Sequence, residues 1–202
     1  MRPLPSISTQ NPEQIFHFAR MVDRAKELDF ACMKAALAGG LPIPAEQKLF
    51  LNINASTLLD VHGVLTWMRR HAVPMANIVL EITERESIQD TNGLVAALNA
   101  YRQHGFQFAL DDVGAGYASL YLVAELQPEY VKIERLLVQR ACEHAASATV
   151  MEGLLNLCAK LGIRTIAEGV ESVRELSLLR DLGVPLAQGY HLGRPMPYIL
   201  PE

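Results

Sequence analysis

The chain has 202 residues, half of them hydrophobic, which is enough for one sizeable core but too little for two independent domains. We therefore expect a single domain over residues 1–202. The formal charge of −4 argues against a protein that holds DNA or RNA by charge alone, because that requires clustered lysine and arginine. No uninterrupted apolar run approaches the roughly 20 residues of a membrane-spanning helix, so we expect no membrane segment.

The N-terminus and the cysteines indicate the compartment. Residues 1–5 lack the apolar stretch of a secretory signal. Cys32, Cys142 and Cys158 form neither a disulfide framework nor a metal-binding spacing. We therefore expect a cytoplasmic protein in which all three thiols fill the core.

The first predicted element is a long helical region that begins at Asn11-Pro12-Glu13, where an N-cap candidate precedes a proline and an acid. Beyond it, short β-branched or aromatic runs alternate with stretches of helical period, which is typical of βα units around a parallel sheet. The predicted strands are 49–54, 77–83, 106–111, 130–134, 163–168 and 185–190. The helical stretches lie near 57–70, 88–104, 117–126, 135–141, 144–161 and 172–182.

Every predicted strand ends on polar residues. These are Asn52, Glu81, Asp111 with Asp112, Lys132 with Glu134, Glu168 and Gln188. In a β/α barrel the C-terminal ends of the strands meet on one face, so residues distant in sequence converge there. One polar strand end means little, because strands often stop at such residues, but six in succession predict a site.

The residue types at these strand ends indicate the chemistry. Oxygen ligands suit hard cations such as Mg²⁺ or Mn²⁺. Consecutive strand residues normally point to opposite faces, so Asp111 and Asp112 reach one site only at a strand end or turn. Carboxylates that hold two cations beside Lys132 predict phosphoester hydrolysis, with the lysine orienting or helping to deprotonate the attacking water.

Six segments in order resemble the motifs of the EAL domain family, and the resemblance covers nearly the whole chain. The segments are Leu51-Asn52-Ile53-Asn54, Leu80-Glu81-Ile82-Thr83-Glu84, the run from Ala109 to Tyr117 with Asp111-Asp112-Val113-Gly114-Ala115-Gly116, Val131-Lys132-Ile133-Glu134, Ala167-Glu168-Gly169-Val170-Glu171 and Gln188-Gly189-Tyr190. The resemblance implies a TIM-like (β/α) barrel that hydrolyses cyclic di-GMP to linear pGpG with Mg²⁺ or Mn²⁺.

The resemblance also implies a role for each matched residue. The metal ligands would be Asn52, Glu81, Asp111, Asp112 and Glu168. Lys132 would lie beside the nucleophilic water. Glu84 would tether the loop after Asp112, and Gln188 would lie next to the metal cluster or the ligand.

The chain departs from the family at its N-terminus and in one loop. The family barrel begins with two strands, the second ending in Glu-Ala-Leu-x-Arg, and neither those strands nor that glutamate is found here. Met1-Arg2 matches the end of the motif, which makes Arg2 the candidate phosphate contact. We therefore expect an open barrel with impaired hydrolysis. Val113, Ala115 and Ala118 stand where the family usually has Phe, Thr and Ser, and Glu134 replaces an aspartate.

Alternatives stay open at this point. The chain could be an inactive EAL module that acts as a cyclic di-GMP receptor or an interaction scaffold, or an unrelated metal-dependent barrel enzyme. Glu84, Glu134 and Glu171 could each be acids that favour a helix start. The open sheet edges predict association, with a homodimer as one outcome.

Overall fold

The computed structural model of the chain describes residues 12–37, 44, 46–71, 73–83, 90–114 and 118–195. The helices in these ranges are α1 (Pro12–Met21), α2 (Ala25–Leu37), α3 (Ala55–Leu58), α4 (Val61–Arg70), α5 (Thr91–Arg102), α6 (Ala118–Leu126), α7 (Arg135–Glu143), α8 (Ala145–Lys160) and α9 (Val173–Asp181). The strands are β1 (Leu49–Asn52), β2 (Ile78–Thr83), β3 (Gln107–Val113), β4 (Tyr130–Ile133), β5 (Arg164–Ala167) and β6 (Leu186–Ala187).

The strands form one parallel sheet in the order β1-β2-β3-β4-β5-β6, so each strand lies beside its neighbours in sequence. With helices returning the chain between strands, the sheet curls into half of a TIM-like β/α barrel, as predicted. Each strand starts at its predicted first residue or one residue later. Within the described ranges, β1 and β6 each pair with one strand, so the sheet is open at both edges.

The convex face of the sheet packs against the helices. In β2, Ile78, Leu80 and Ile82 are buried there and join the large core formed with the helices. Because successive strand side chains alternate between faces, Val79 and Glu81 point to the concave side. The near-continuous apolar run of β2 is therefore explained by a sheet that buries both faces.

A small apolar layer lines the concave face. It contains one residue from each strand: Phe50, Val79, Ala109, Tyr130, Ile166 and Leu186. The rings of Phe50 and Tyr130 pack edge to face at 5.3 Å. Burying side chains of this kind stabilises the fold by about 1.5–3 kcal/mol each. This layer packs on the concave face of the half-barrel. The side chains two positions further along each strand lie on the same face, next to the layer and nearer the C-terminal ends of the strands.

Two predicted helical stretches are each divided in the structure. The region before β1 forms α1 and α2, because Asp23 between them has a left-handed backbone (φ 55). The stretch near 57–70 forms α3 and α4, because the side chain of Asp60 caps α4 by accepting from the Gly63 N–H at 2.9 Å. In both places a local feature, a left-handed residue or a side-chain cap, interrupts a helical period that continues in the sequence.

The structure tests two predictions made above: that the three cysteines are buried, and that no segment spans a membrane. Among the three cysteines, Cys158 is fully buried, whereas Cys32 is exposed on α2. The prediction that all three thiols fill the core is therefore wrong, because Cys32 is exposed and Cys142 is only partly buried. None of the helices in the described ranges is both long enough and apolar enough to cross a bilayer.

Candidate active site

Polar side chains stand at the C-terminal ends of the strands on the concave face. They form what we call the strand-end ring: Asn52, Glu81, Asp111, Lys132, Glu168 and Gln188. Each follows the apolar layer by two residues, and the parallel register places Asn52 beside Glu81 and carries the same face across the sheet. The structure therefore brings these six of the predicted strand-end residues together on one face.

Lys132 is the centre of this ring. Its Nζ lies 3.0 Å from Oε1 of Glu81, 3.0 Å from Oδ1 of Asp111 and 2.8 Å from Oε1 of Glu168. The side chain of Lys132 is only 6% exposed, so these ion pairs are largely shielded from solvent. One ammonium thus connects carboxylates at the C-terminal ends of β2, β3 and β5.

Burial and charge act against each other in the ring. Burial alone lowers the pKa of Lys132, but its three carboxylate neighbours outweigh this effect and raise the pKa above its ordinary value. Burial raises the pKa of Glu81 and of Glu168, and the Lys132 ammonium offsets only part of that increase. The site therefore holds more negative charge than one lysine can neutralise, which favours a cation.

Asp111 and Asp112 both reach the site because the backbone turns at the end of β3. Asp112 has a left-handed conformation (φ 59), and the register with β4 shifts between Leu110 and Val113. This irregularity breaks the alternation that would send consecutive side chains to opposite faces. The Asp112 N–H also donates to Oδ1 of Asp111 at 3.1 Å.

The donor set fits a divalent cation. Carboxylate oxygens of Asp111, Asp112 and Glu168 lie within 4.8 Å of one another. Metal–oxygen bonds of about 2.0–2.6 Å allow one Mg²⁺, Mn²⁺ or Ca²⁺ ion to contact oxygens at such separations. Asn52 and Glu81 add further oxygen atoms beside this group, and a hydrogen bond from the Asn52 amide acts to lower the pKa of Glu81.

Gln188 closes the ring through Glu168. Its Nε2 donates to Oε1 of Glu168 at 3.0 Å. The backbone around it is fixed because the Gln188 N–H donates to Ala167 O, and the Val170 N–H donates to Gln188 O. A Cβ on the next residue, Gly189, would overlap the backbone of Val170, so the close approach requires glycine here.

A cavity of about 710 Å³ opens beside the ring, between α1, α2 and the ends of β1 and β2. Asn52, Glu81 and Asp112 line it, together with Asp29 and Asn54, which sequence reasoning missed. Asp29 is fully buried on an otherwise mostly exposed helix. The sequence hint to Asp29 is weak: it is an acid between two apolar residues, Leu28 and Phe30. Acids on helices are usually solvated, so this pattern alone does not predict a buried carboxylate.

Other predicted residues lie outside the ring or outside the described ranges. Glu134 follows β4 at the N-cap position of α7 and is partly buried. Glu171 pairs with Arg135 at 2.8 Å on the surface instead of joining the ring. Glu84 and Arg2 fall outside the described residues, so their predicted roles stay predictions.

Comparison with known proteins places this site in a family. A family model described as the EAL domain matches residues 5–195. A protein of Escherichia coli (strain K12) named probable cyclic di-GMP phosphodiesterase PdeG is 38% identical over 123 residues, which are 61% of this chain and 24% of that protein. The chain thus spans about a quarter of the length of this curated relative.

Two solved structures share the fold over most of the chain. A standalone EAL protein from Vibrio cholerae O395 in its c-di-GMP-bound form is 32% identical, with a TM-score of 0.73 over 87% of this chain and 76% of that one. Klebsiella pneumoniae BlrP1 in its calcium and cyclic di-GMP complex is 30% identical, with a TM-score of 0.76 over 89% of this chain and 47% of that one. Because the family match runs through all six strands and the whole strand-end ring, this chain belongs to the EAL domain family.

Proposed function

We propose that this chain is a metal-dependent phosphodiesterase domain that hydrolyses cyclic di-GMP to linear pGpG. The observation that carries the proposal is the group of carboxylates of Asp111, Asp112 and Glu168, with oxygens within 4.8 Å, beside the buried Lys132. Hard oxygen donors of this kind suit the cations that phosphoester hydrolysis uses. The names of the curated relatives support the substrate.

In this proposal the metal ligands are Asn52, Glu81, Asp111, Asp112 and Glu168, and the ion is Mg²⁺ or Mn²⁺. Solved relatives that contain calcium or manganese together with cyclic di-GMP support a divalent cation. When bound, the cations would acidify a water and polarise the phosphate. A net excess of acidic groups in a largely buried site supplies the attraction for them.

The other residues of the ring position these ligands. Lys132 holds three carboxylates within 3.0 Å of one ammonium, which limits their mutual repulsion before a cation binds. An N–H of the same ammonium would orient the attacking water. Gln188 orients Glu168 through its amide. We propose in addition that Glu84 tethers the loop after Asp112 and that Arg2 contacts the phosphate of the ligand.

Hydrolysis by the 202 residues alone should be slow, because they contain no Glu-Ala-Leu-x-Arg motif to add a further carboxylate. The second candidate function is therefore an inactive module that binds cyclic di-GMP as a receptor or scaffold. The same oxygen ligands favour it, since Asp111, Asp112 and Glu81 can hold one cation that bridges to the phosphate.

Two assays on the purified chain separate the candidates. The first follows pGpG by chromatography after incubation of cyclic di-GMP with Mn²⁺, and the second titrates binding in Ca²⁺. Asp111→Asn should abolish turnover, whereas Glu152→Gln, the same loss of charge on the exposed face of α8, should not change it. Binding without turnover would favour the receptor. An absence of both binding and turnover would refute both functions.

The setting of the domain is also a proposal. We propose that it acts in the cytoplasm, where a reducing environment suits its free cysteines. We propose no DNA or RNA partner, because the net charge is −4. A homodimer through an open sheet edge is the proposed assembly.

A further inference from the structure

Asn52 is the last residue of an edge strand. Within the described ranges β1 pairs with β2 alone, so backbone hydrogen bonds of a sheet support it on one side only. On that side the Ile53 N–H donates to Glu81 O at 3.1 Å. Among the residues that the structure describes, support for the other side of the strand end comes from outside the sheet.

A buried carboxylate on α2 supplies this support. Oδ2 of Asp29 accepts from the Asn54 N–H at 3.1 Å, and Oδ1 of Asp29 accepts from Nδ2 of Asn54 at 2.6 Å. Asp29 is 0% exposed and Asn54 is 3% exposed. Both hydrogen bonds are made by Asn54, two residues after Asn52. They therefore hold the C-terminal end of β1 against α2.

The side chain of Asn54 is committed to this contact. Asn54 occupies the N-cap position of α3, yet its side chain makes no capping hydrogen bond. Instead its Oδ1 accepts from Nη1 of Arg20 on α1 at 3.2 Å. Asparagine is a favoured N-cap because its side chain can accept from a backbone N–H of the first helical turn. Here the Asn54 side chain instead bonds to Arg20 on α1 and to Asp29 on α2. The arrangement therefore fixes β1 relative to these helices more than it stabilises α3.

We propose that Asp29 is a positioning residue for the metal site, which acts through Asn54 to hold the Asn52 amide in place beside Glu81. The proposal rests on the function proposed above, because it treats Asn52 as a metal ligand. Partners that orient metal ligands typically change metal affinity about 10- to 100-fold when they are mutated. The hydrogen bonds of Asp29 described above go to Asn54 and not to a ring residue, so we expect the lower end of that range.

The test uses a reciprocal exchange. Asp29→Asn removes one of the two acceptors, and Asn54→Asp sets two carboxylates face to face. In the double variant Asp29→Asn/Asn54→Asp, the new amide again accepts from the residue 54 N–H and donates to its carboxylate, so both hydrogen bonds return. Mn²⁺ affinity, measured by titration followed by electron paramagnetic resonance, should fall about tenfold in each single variant and recover in the exchange.

Two further measurements separate positioning from a general loss of stability. Cys158→Ala, which opens a small space in the core at α8 away from the site, should lower the melting temperature without weakening Mn²⁺ binding. In metal-free protein labelled with ¹⁵N-asparagine, the side-chain amide resonance of Asn52 should shift in Asp29→Asn and return in the exchange.

The outcomes distinguish this inference from the proposed function. If the unmodified chain binds no Mn²⁺, the proposed metal site fails, while the Asn52 resonance still decides whether Asp29 positions that residue. If Asp29→Asn binds Mn²⁺ as tightly as the unmodified chain and leaves the Asn52 resonance unchanged, the inference is overturned. Equal losses of affinity in Asp29→Asn and Cys158→Ala would overturn it as well.

Discussion

The Lys132 ammonium lies 2.8 Å from Oε1 of Glu168. Lys132 lies in β4, and Glu168 lies in the loop that follows β5. The same ammonium contacts Glu81 and Asp111 at 3.0 Å each. Because all four groups are largely buried, little solvent screens their charges from one another. Removing one should have a far larger effect than breaking a surface ion pair.

Lys132→Met should destabilise the metal-free protein by about 3–5 kcal/mol, because it leaves buried carboxylates without a counter-charge. Urea unfolding in EDTA measures this loss. Arg135→Gln is the matched control, since it breaks the exposed ion pair with Glu171 and should cost less than about 1 kcal/mol. Equal losses in the two variants would show that the Lys132 pairs contribute no more than a surface contact.

Asp112→Asn and Asp112→Ala should differ in stability although both remove the same charge. Asp112 has φ 59, a conformation that asparagine tolerates and alanine disfavours by about 1–2 kcal/mol. Urea unfolding in EDTA should therefore show Asp112→Ala as the less stable variant by about 1 kcal/mol. Both should weaken Mn²⁺ binding. Identical unfolding curves would mean that this backbone conformation is not retained.

Gly189→Ala should destabilise the chain and disturb Gln188, because the added methyl group would overlap the backbone of Val170. Overpacking of this kind typically costs about 1–3 kcal/mol. Gly193→Ala is the control from the same loop, since a Cβ there has no neighbour within 4 Å. Thermal unfolding compares the two. A Gly189→Ala protein as stable as Gly193→Ala would contradict the close contact.

Asp29 and Asp60 should give opposite pH dependences of stability. Burial raises the pKa of Asp29 above 3.8, so its favourable contribution is complete below that pH and is lost as the pH rises through the native pKa. Asp29→Asn, which cannot ionise, should therefore become more stable relative to the unmodified chain as the pH rises above 3.8. Urea unfolding in EDTA at several pH values measures the difference.

Asp60 provides the control of opposite sign. Hydrogen bonds from Lys26 and from the Gly63 N–H lower the pKa of Asp60, so its contribution is present above pH 3.8 and is lost as the pH falls through the native pKa. Asp60→Asn should therefore lose stability relative to the unmodified chain as the pH rises from acid. Slopes of the same sign for the two variants would contradict these assignments.

The open edges of the sheet should promote association. The outward N–H and C=O groups of β1 have no strand partner within the described ranges, and such edges readily pair with another chain. Analytical ultracentrifugation should detect species larger than the monomer as the concentration rises. A monomer with a sharp melting transition that does not change with concentration would refute this prediction.

The sequence by itself determined the sheet and the identity of the ring. The six strand ends could be found because β-branched runs mark the strands and because a period of two assigns each side chain to a face. Parallel order followed from the alternation of strands with helices. These are local patterns, so Asn52, Glu81, Lys132 and Glu168 could be placed on one face without coordinates.

The tertiary structure alone decided how those residues interact. That Lys132 contacts three carboxylates depends on the curl of the sheet, which brings side chains from separate strands to one point. The contact between Asp29 and Asn54 joins a helix to a strand end, and an acid in a helical run carries no local sign of burial. The left-handed backbone of Asp112 depends on the register shift between β3 and β4. Each of these features depends on distances between segments far apart in the chain, which local propensity and periodicity do not encode.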